Sequence, residues 1–143
     1  MKKKTLFIAQ DAGGANYMMP VLEQWRGISS YKVFTANPAS TILSSFNPIF
    51  YNAPNSWNNL LELGLGVLES ERPDLIVTGT SWGPSLDKAF LLSAKQLDIT
   101  TISVIDHWEF YLERFSKIDS SNVVEELVYM PDKIILNDRF AFS

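Results

Sequence analysis

The sequence contains no cysteine and a single histidine, His107. Without cysteine there are no disulfides and no thiolate metal sites. With one imidazole, carboxylates are the only other metal ligands and a serine-type triad has one candidate base, so no metal centre is expected. Positive charge is also scarce. Twelve Lys and Arg stand against 16 Asp and Glu, a formal charge of −4, whereas a nucleic-acid binder would carry a basic stripe. The only basic run is Lys2, Lys3 and Lys4, placed where it keeps a following apolar strand soluble. Long hydrophobic runs are missing as well. "TLFIA" is broken by Gln10 and Asp11, too soon for a signal-peptide core or a membrane span, which makes the cytoplasm the default compartment.

What remains is the composition of a soluble globular domain, 46% hydrophobic and 20% charged over 143 residues, long enough for one sizeable core. Short apolar runs alternate with stretches of helical period. Strands are predicted at 5–10, 31–36, 48–53, 72–80, 99–106 and 132–138. Between them, helices are predicted at 16–26, with Tyr17, Val21, Leu22 and Trp25 on one face, at 38–46, and from the N-cap Ser56 onward. That third helix places Trp57, Leu60, Leu61, Gly64 and Leu68 on one stripe. A further helix follows Ser85, burying Leu86, Ala89, Phe90, Ala94 and Leu97, and a last short one is predicted at 122–128. Starting the first helix near Asn16 puts Pro20 close to its first turn, where a missing amide matters least.

"LIV" in "RPDLIVTGT" is apolar on both faces, the mark of a parallel strand covered on both sides. Six strands alternating with helices give a single α/β domain over 1–143. It is a three-layer, doubly wound, mostly parallel Rossmann-like sheet with the expected strand order 3-2-1-4-5-6.

In such sheets ligands bind beyond the carboxyl ends of the strands, where the strand order reverses. The first strand ends in "QDAGG", the fourth in "TGTSWG", the fifth in "DHWEF" and the sixth in "ND". The predicted order makes the first and fourth neighbours, so Asp11, Gly13 and Gly14 should face Gly79, Thr80, Ser81 and Trp82, with Asp106, His107 and Trp108 one strand further along. Each has a plain structural alternative. The glycines would serve a turn needing positive φ, Thr80 and Ser81 would cap the next helix, and Arg114 would pair with Asp106. "QDAGG" has neither the Gly-Lys-Ser/Thr of a Walker loop nor GxGxxG, and Asp11 would repel a phosphate and suits sugar hydroxyls better. "TSWG" lacks the spacing of a nucleophile elbow. A receiver-like reading is weak, because the third strand ends in "YNAPN" where a phosphorylatable Asp would be needed. A flavodoxin-like small-molecule binding module stays open.

The stretch "RPDLIVTGTSWGPSLDKAFLLSAKQLDITTISVIDHWEFYLERF" followed by "MPDKIILND" resembles the N-terminal Rossmann-like half of GT-B-type glycosyltransferases. It is also similar to the sugar-nucleotide-epimerase-like proteins of bacterial surface-polysaccharide synthesis. The resemblance covers most of 1–140 in element order and is densest over 72–138. It implies that the chain is the N-terminal, acceptor-side half of a longer two-domain protein, inactive alone. On that resemblance Gly13 and Gly14 line the cleft floor, Thr80 and Ser81 its wall, and Asp106, His107 and Trp108 its middle, with Arg114 beside them and Trp82 a further substrate-binding candidate. Asp11 or His107 would be the base for an acceptor hydroxyl. No bound cofactor is implied. The partners implied are a nucleotide-sugar donor, held mainly by a second domain, and a sugar or glycolipid acceptor, with room for peripheral membrane association and a homodimer. The alternative chemistry is a nucleotide-sugar epimerase or hydrolase using the same carboxylates and His107.

Overall fold

A computed structural model of the chain describes residues 3–25, 30–51, 56–81, 85–105, 115–119, 122–125 and 129–136. Strand β1 (Lys4–Ala9) is the centre of the molecule, because each of its side chains from Leu6 to Ala9 is fully buried. Alternate residues point to opposite faces of a strand, and here both faces are covered. Leu6 and Ile8 belong to one core, Phe7 and Ala9 to the other. That double burial is why the segment reads as an unbroken apolar run.

Helix α1 (Ala12–Trp25) leads to β2 (Ser30–Thr35). A short helix α2 (Ala39–Ile42) and a 3₁₀ turn (Ser44–Phe46) then precede the two-residue strand β3 (Ile49–Phe50). Helix α3 (Trp57–Glu71) crosses back to β4 (Leu75–Thr78), and α4 (Leu86–Gln96) leads to β5 (Thr100–Ile105). An antiparallel hairpin, β6 (Lys117–Asp119) with β7 (Asn122–Glu125), intervenes before β8 (Lys133–Leu136). The main sheet has six strands in the order β3-β2-β1-β4-β5-β8, every pair parallel. This is the expected 3-2-1-4-5-6 arrangement, with β8 as its sixth member. α1 and α2 pack on one face of the sheet, α3 and α4 on the other.

Four expectations change. The segment predicted as a helix at 122–128 contains β7 instead, since Val123 pairs with Ile118 across the hairpin and β-branched residues favour that pairing. Helix α1 begins at Ala12, four residues early, which puts Pro20 well inside it. Asn16, whose carbonyl loses its partner there, and Pro20 itself both lie on the exposed side, where water replaces the missing bond. The buried stripe of α1 is Gly14, Ala15, Met18 and Leu22, while Tyr17 stands out in solvent. Leu97 likewise ends up as the exposed C-cap of α4.

Helix ends follow their local chemistry. Ser56 Oγ accepts from Asn59 N at 3.4 Å to start α3, and Arg72 closes it in the left-handed region with φ 48° just before Pro73. At the amino ends of the strands, Glu71 accepts from Lys4 Nζ and, at 2.9 Å, from Lys32 Nζ. These bonds hold the Glu71 carboxyl below the usual glutamate range. The stability Glu71 contributes is therefore present above that range and is lost as pH falls through its lowered folded value. Glu71→Gln should lower stability at about pH 7 but much less at about pH 3. Urea unfolding at the two pH values checks this, and an equal loss at both would refute it. Asp132 ties β8 to β5 by accepting from Thr101 N at 2.8 Å and returning its own amide to Thr101 Oγ1 at 2.8 Å.

Candidate functional site at the switch point of the sheet

The strand order reverses between β1 and β4, whose ladder runs from Thr5↔Leu75 to Ile8↔Thr78 and ends with Gly79 N donating to Ile8 O at 3.0 Å. The two chain segments that leave these strands do meet. A Cβ built on Gly14 would lie 3.3 Å from Gly79 Cα and 3.9 Å from Thr80 N, so any side chain at position 14 would push the facing backbone away by a few tenths of an ångström. Close backbone approach, and not a positive φ, is thus what Gly14 supplies. Gly13 and Gly14 lie in the first turn of α1, with Asp11 at its N-cap position, where Asp11 O accepts from Ala15 N at 3.1 Å. An acidic N-cap complements the positive end of the helix.

On the other side of the junction, the hydroxyls of Thr80 and Ser81 turn inward. Both residues are buried. Thr80 Oγ1 donates to Val104 O on β5 at 3.3 Å. Ser81 donates from its amide (3.1 Å) and its hydroxyl (2.7 Å) to Asp87 Oδ2. The N-cap of α4 is Ser85, so Thr80 and Ser81 do not serve as the helix cap. Two first-turn amides of α4 are already taken up. Leu86 N donates to Gln10 Oε1 at 2.8 Å and Lys88 N to Asp87 Oδ1 at 3.0 Å. An anion arriving at the end of α4 would have to displace both side chains.

Under this wall Thr78 Oγ1 and Ser103 Oγ share a hydrogen bond of 2.7 Å, and Lys88 Nζ sits 5.3 Å from the centre of the Tyr129 ring. Thr80, Asp87, Lys88, Ser103 and Tyr129 help enclose a cavity of about 10 Å³, room for no more than a single water. A ligand would therefore lie outside the wall, at the carboxyl ends of the strands. Two larger concavities among the described residues lie elsewhere. One, of about 390 Å³, runs along the outer side of β3 against α3, and the other, of about 430 Å³, is at the amino ends of β5 and β8.

The expectation that Gly14 faces Gly79 and Thr80 is met by this geometry. Trp82, Asp106, His107, Trp108 and Arg114 lie outside the described residues. Among the described residues no three His, Cys, Asp or Glu side chains gather as they would around a metal ion, and no helix is long and apolar enough to cross a membrane. Two residues that the sequence does not flag organise the site. Gln10 links the end of β1 to the start of α4, and nothing in the sequence signals it. Asp87 holds Ser81 and Ser85, and its only signal is an acidic residue in a helix's first turn.

No family model and no curated protein matches the chain. Solved structures do match in fold. A UDP-N-acetylglucosamine 2-epimerase superposes with TM-score 0.65 at 16% identity, covering 99% of this chain and 43% of that one. The UDP-GlcNAc 2-epimerase of Neisseria meningitidis, solved bound to UDP-GlcNAc, gives 0.56 at 21% identity, with 71% of this chain and 31% of that one covered. Acinetobacter baumannii MurG gives 0.56 at 11% identity, with 94% and 44% covered. The chain thus spans less than half the length of these structures. It has the Rossmann-like fold found in UDP-GlcNAc 2-epimerases and in GT-B-type glycosyltransferases.

Proposed function

We propose that this chain is the acceptor-side half of a GT-B-type glycosyltransferase of cell-surface polysaccharide synthesis, with its sugar-facing lip at the junction of β1 and β4. The observation that carries this reading is the contact of Gly14 with Gly79. It brings Asp11 and the first turn of α1 to the place where open parallel sheets bind ligands. The charge there favours sugar hydroxyls over phosphate, since a carboxylate stands at the N-cap of α1 and the end of α4 is closed by Gln10 and Asp87. In this reading the nucleotide part of the donor is held by a second domain, and Asp11 or His107 accepts the proton of an acceptor hydroxyl. The hydroxyl oxygen then attacks the anomeric carbon and the nucleoside diphosphate leaves.

A second reading, nucleotide-sugar epimerisation, is favoured by the epimerase that superposes on 99% of the chain with TM-score 0.65. There the same groups would move a proton at a sugar carbon. Both readings put a hexose derivative against the same lip.

Amide chemical-shift perturbation on the ¹⁵N-labelled chain tests the shared part. N-acetylglucosamine at millimolar concentration should shift Gly13, Gly14, Thr80 and Ser81 together, and UDP alone should leave them in place. UDP alone shifting the same four amides, or the sugar acting only at the β3 edge, would sink the assignment.

A further inference from the structure

Asp87 is 1% exposed and sits in the first turn of α4. Its two oxygens take different jobs. Oδ2 accepts from Ser81 N and Ser81 Oγ, and it lies 3.2 Å from where a Cβ on Gly79 would be. Oδ1 accepts from Ser85 Oγ and from Lys88 N. The carboxylate therefore pins the departure of the chain from β4, at Ser81, and its arrival at α4, at Ser85. Ser81 and Ser85 are thus both held by one side chain without any ligand.

We infer that Asp87 is a positioning residue that holds Ser81 and Ser85 in place at the sugar-facing lip, so that ligand meets these two residues already in shape. This rests on the sugar-cleft reading above. Preformation removes the ordering penalty that a mobile loop would add to binding. The chemistry demands a carboxylate, since both oxygens receive backbone N–H donors that cannot turn around. An asparagine amide can satisfy Ser81 N or Lys88 N, but in either orientation its NH₂ faces the other donor. Glutamate is one methylene too long for a fully packed position.

Hydrogen exchange and sugar binding on the same chain provide the test. In the wild type the Ser81 amide should be protected as strongly as the amides of β4. In Asp87→Asn it should exchange at least tenfold faster, and the affinity for N-acetylglucosamine should drop at least tenfold. Leu68→Val, in the last turn of α3 and away from the cleft, is the control. It should lower Tm yet leave both readouts within twofold, which separates positioning from mere loss of stability. A wild-type Ser81 amide exchanging like an open loop would overturn the inference, as would an Asp87→Asn chain that keeps its sugar affinity. If Asp87→Asn does not fold, Ser85→Ala keeps the carboxylate and removes one donor. A few-fold rise in Ser81 exchange then supports the inference, and no change overturns it. A wild type that binds no sugar but shows Ser81 protection lost in Asp87→Asn refutes the sugar-cleft reading while upholding the positioning role.

Discussion

Phe90→Ala should destabilise the chain by about 3–5 kcal/mol, the usual range for deleting a buried aromatic ring. Phe90 is fully buried in α4, and its ring centre lies 6.0 Å from that of Phe34 on β2. Phe34 in turn stacks on Tyr51 beyond β3, at 5.8 Å and 12° between planes. The three rings form a row from the middle of the α3–α4 face to its outer edge, so the cavity left at Phe90 cannot be filled without breaking the row. A domain with a total stability of about 5–15 kcal/mol would be left near its threshold. Urea unfolding should show a lower midpoint at an unchanged slope. Phe90→Leu, which keeps most of the volume, should lose far less, and equal losses for the two variants would show that the cavity is not the cause.

Gly14→Val should be the most damaging change at the site. Its Cβ alone would stand 3.3 Å from Gly79 Cα, and the two γ-methyls would be driven into the backbone of the facing segment. Overpacking of this kind costs about 1–3 kcal/mol, only partly offset by the roughly 0.4 kcal/mol that valine gains over glycine in a helix. A fall in Tm of roughly 2–10 °C follows for a domain of this size. Because backbone on both sides of the junction must move, N-acetylglucosamine shifts at Gly13, Thr80 and Ser81 should disappear even in the folded fraction. Calorimetry and the amide titration read the two effects separately. A Gly14→Val chain that melts normally and still responds to the sugar would remove the Gly14–Gly79 contact from the account of the site.

The architecture was legible because its signals are local. "LIV" is apolar on both faces only in a covered parallel strand, Ser56 and Ser85 cap the helices they precede, and the strand order follows from crossover rules applied to six such strands. The same order brings Gly14 to Gly79. The failures share one cause, which is partnership with residues distant in sequence. "VVEELV" fits helical spacing as well as strand spacing, and only its pairing with Lys117–Asp119 settles the choice. Tyr17 and Met18 are adjacent apolar residues, and the angle at which α1 meets the sheet decides that Met18 goes inside. Asp87 looks like an ordinary acidic residue at a helix start, where solvent exposure is the default. Its role exists only once Ser81, six residues earlier, is folded back onto it.

The central place of β1 has a consequence for how the chain is made. Its neighbours are β2, which follows soon after, and β4, whose contacts lie some 70 residues downstream, as in the bond from Lys4 N to Asp74. At about 5–20 residues per second of synthesis, β1 waits roughly 4–15 s for the partner that closes its second edge. During that interval Leu6, Phe7 and Ile8 have no complete core to enter, and an open, apolar strand edge is a template for pairing with another chain. The nascent protein therefore passes through a window of vulnerability to aggregation that ends when β4 docks. The lysines at positions 2–4 place charge beside a strand that must stay soluble until its neighbour arrives.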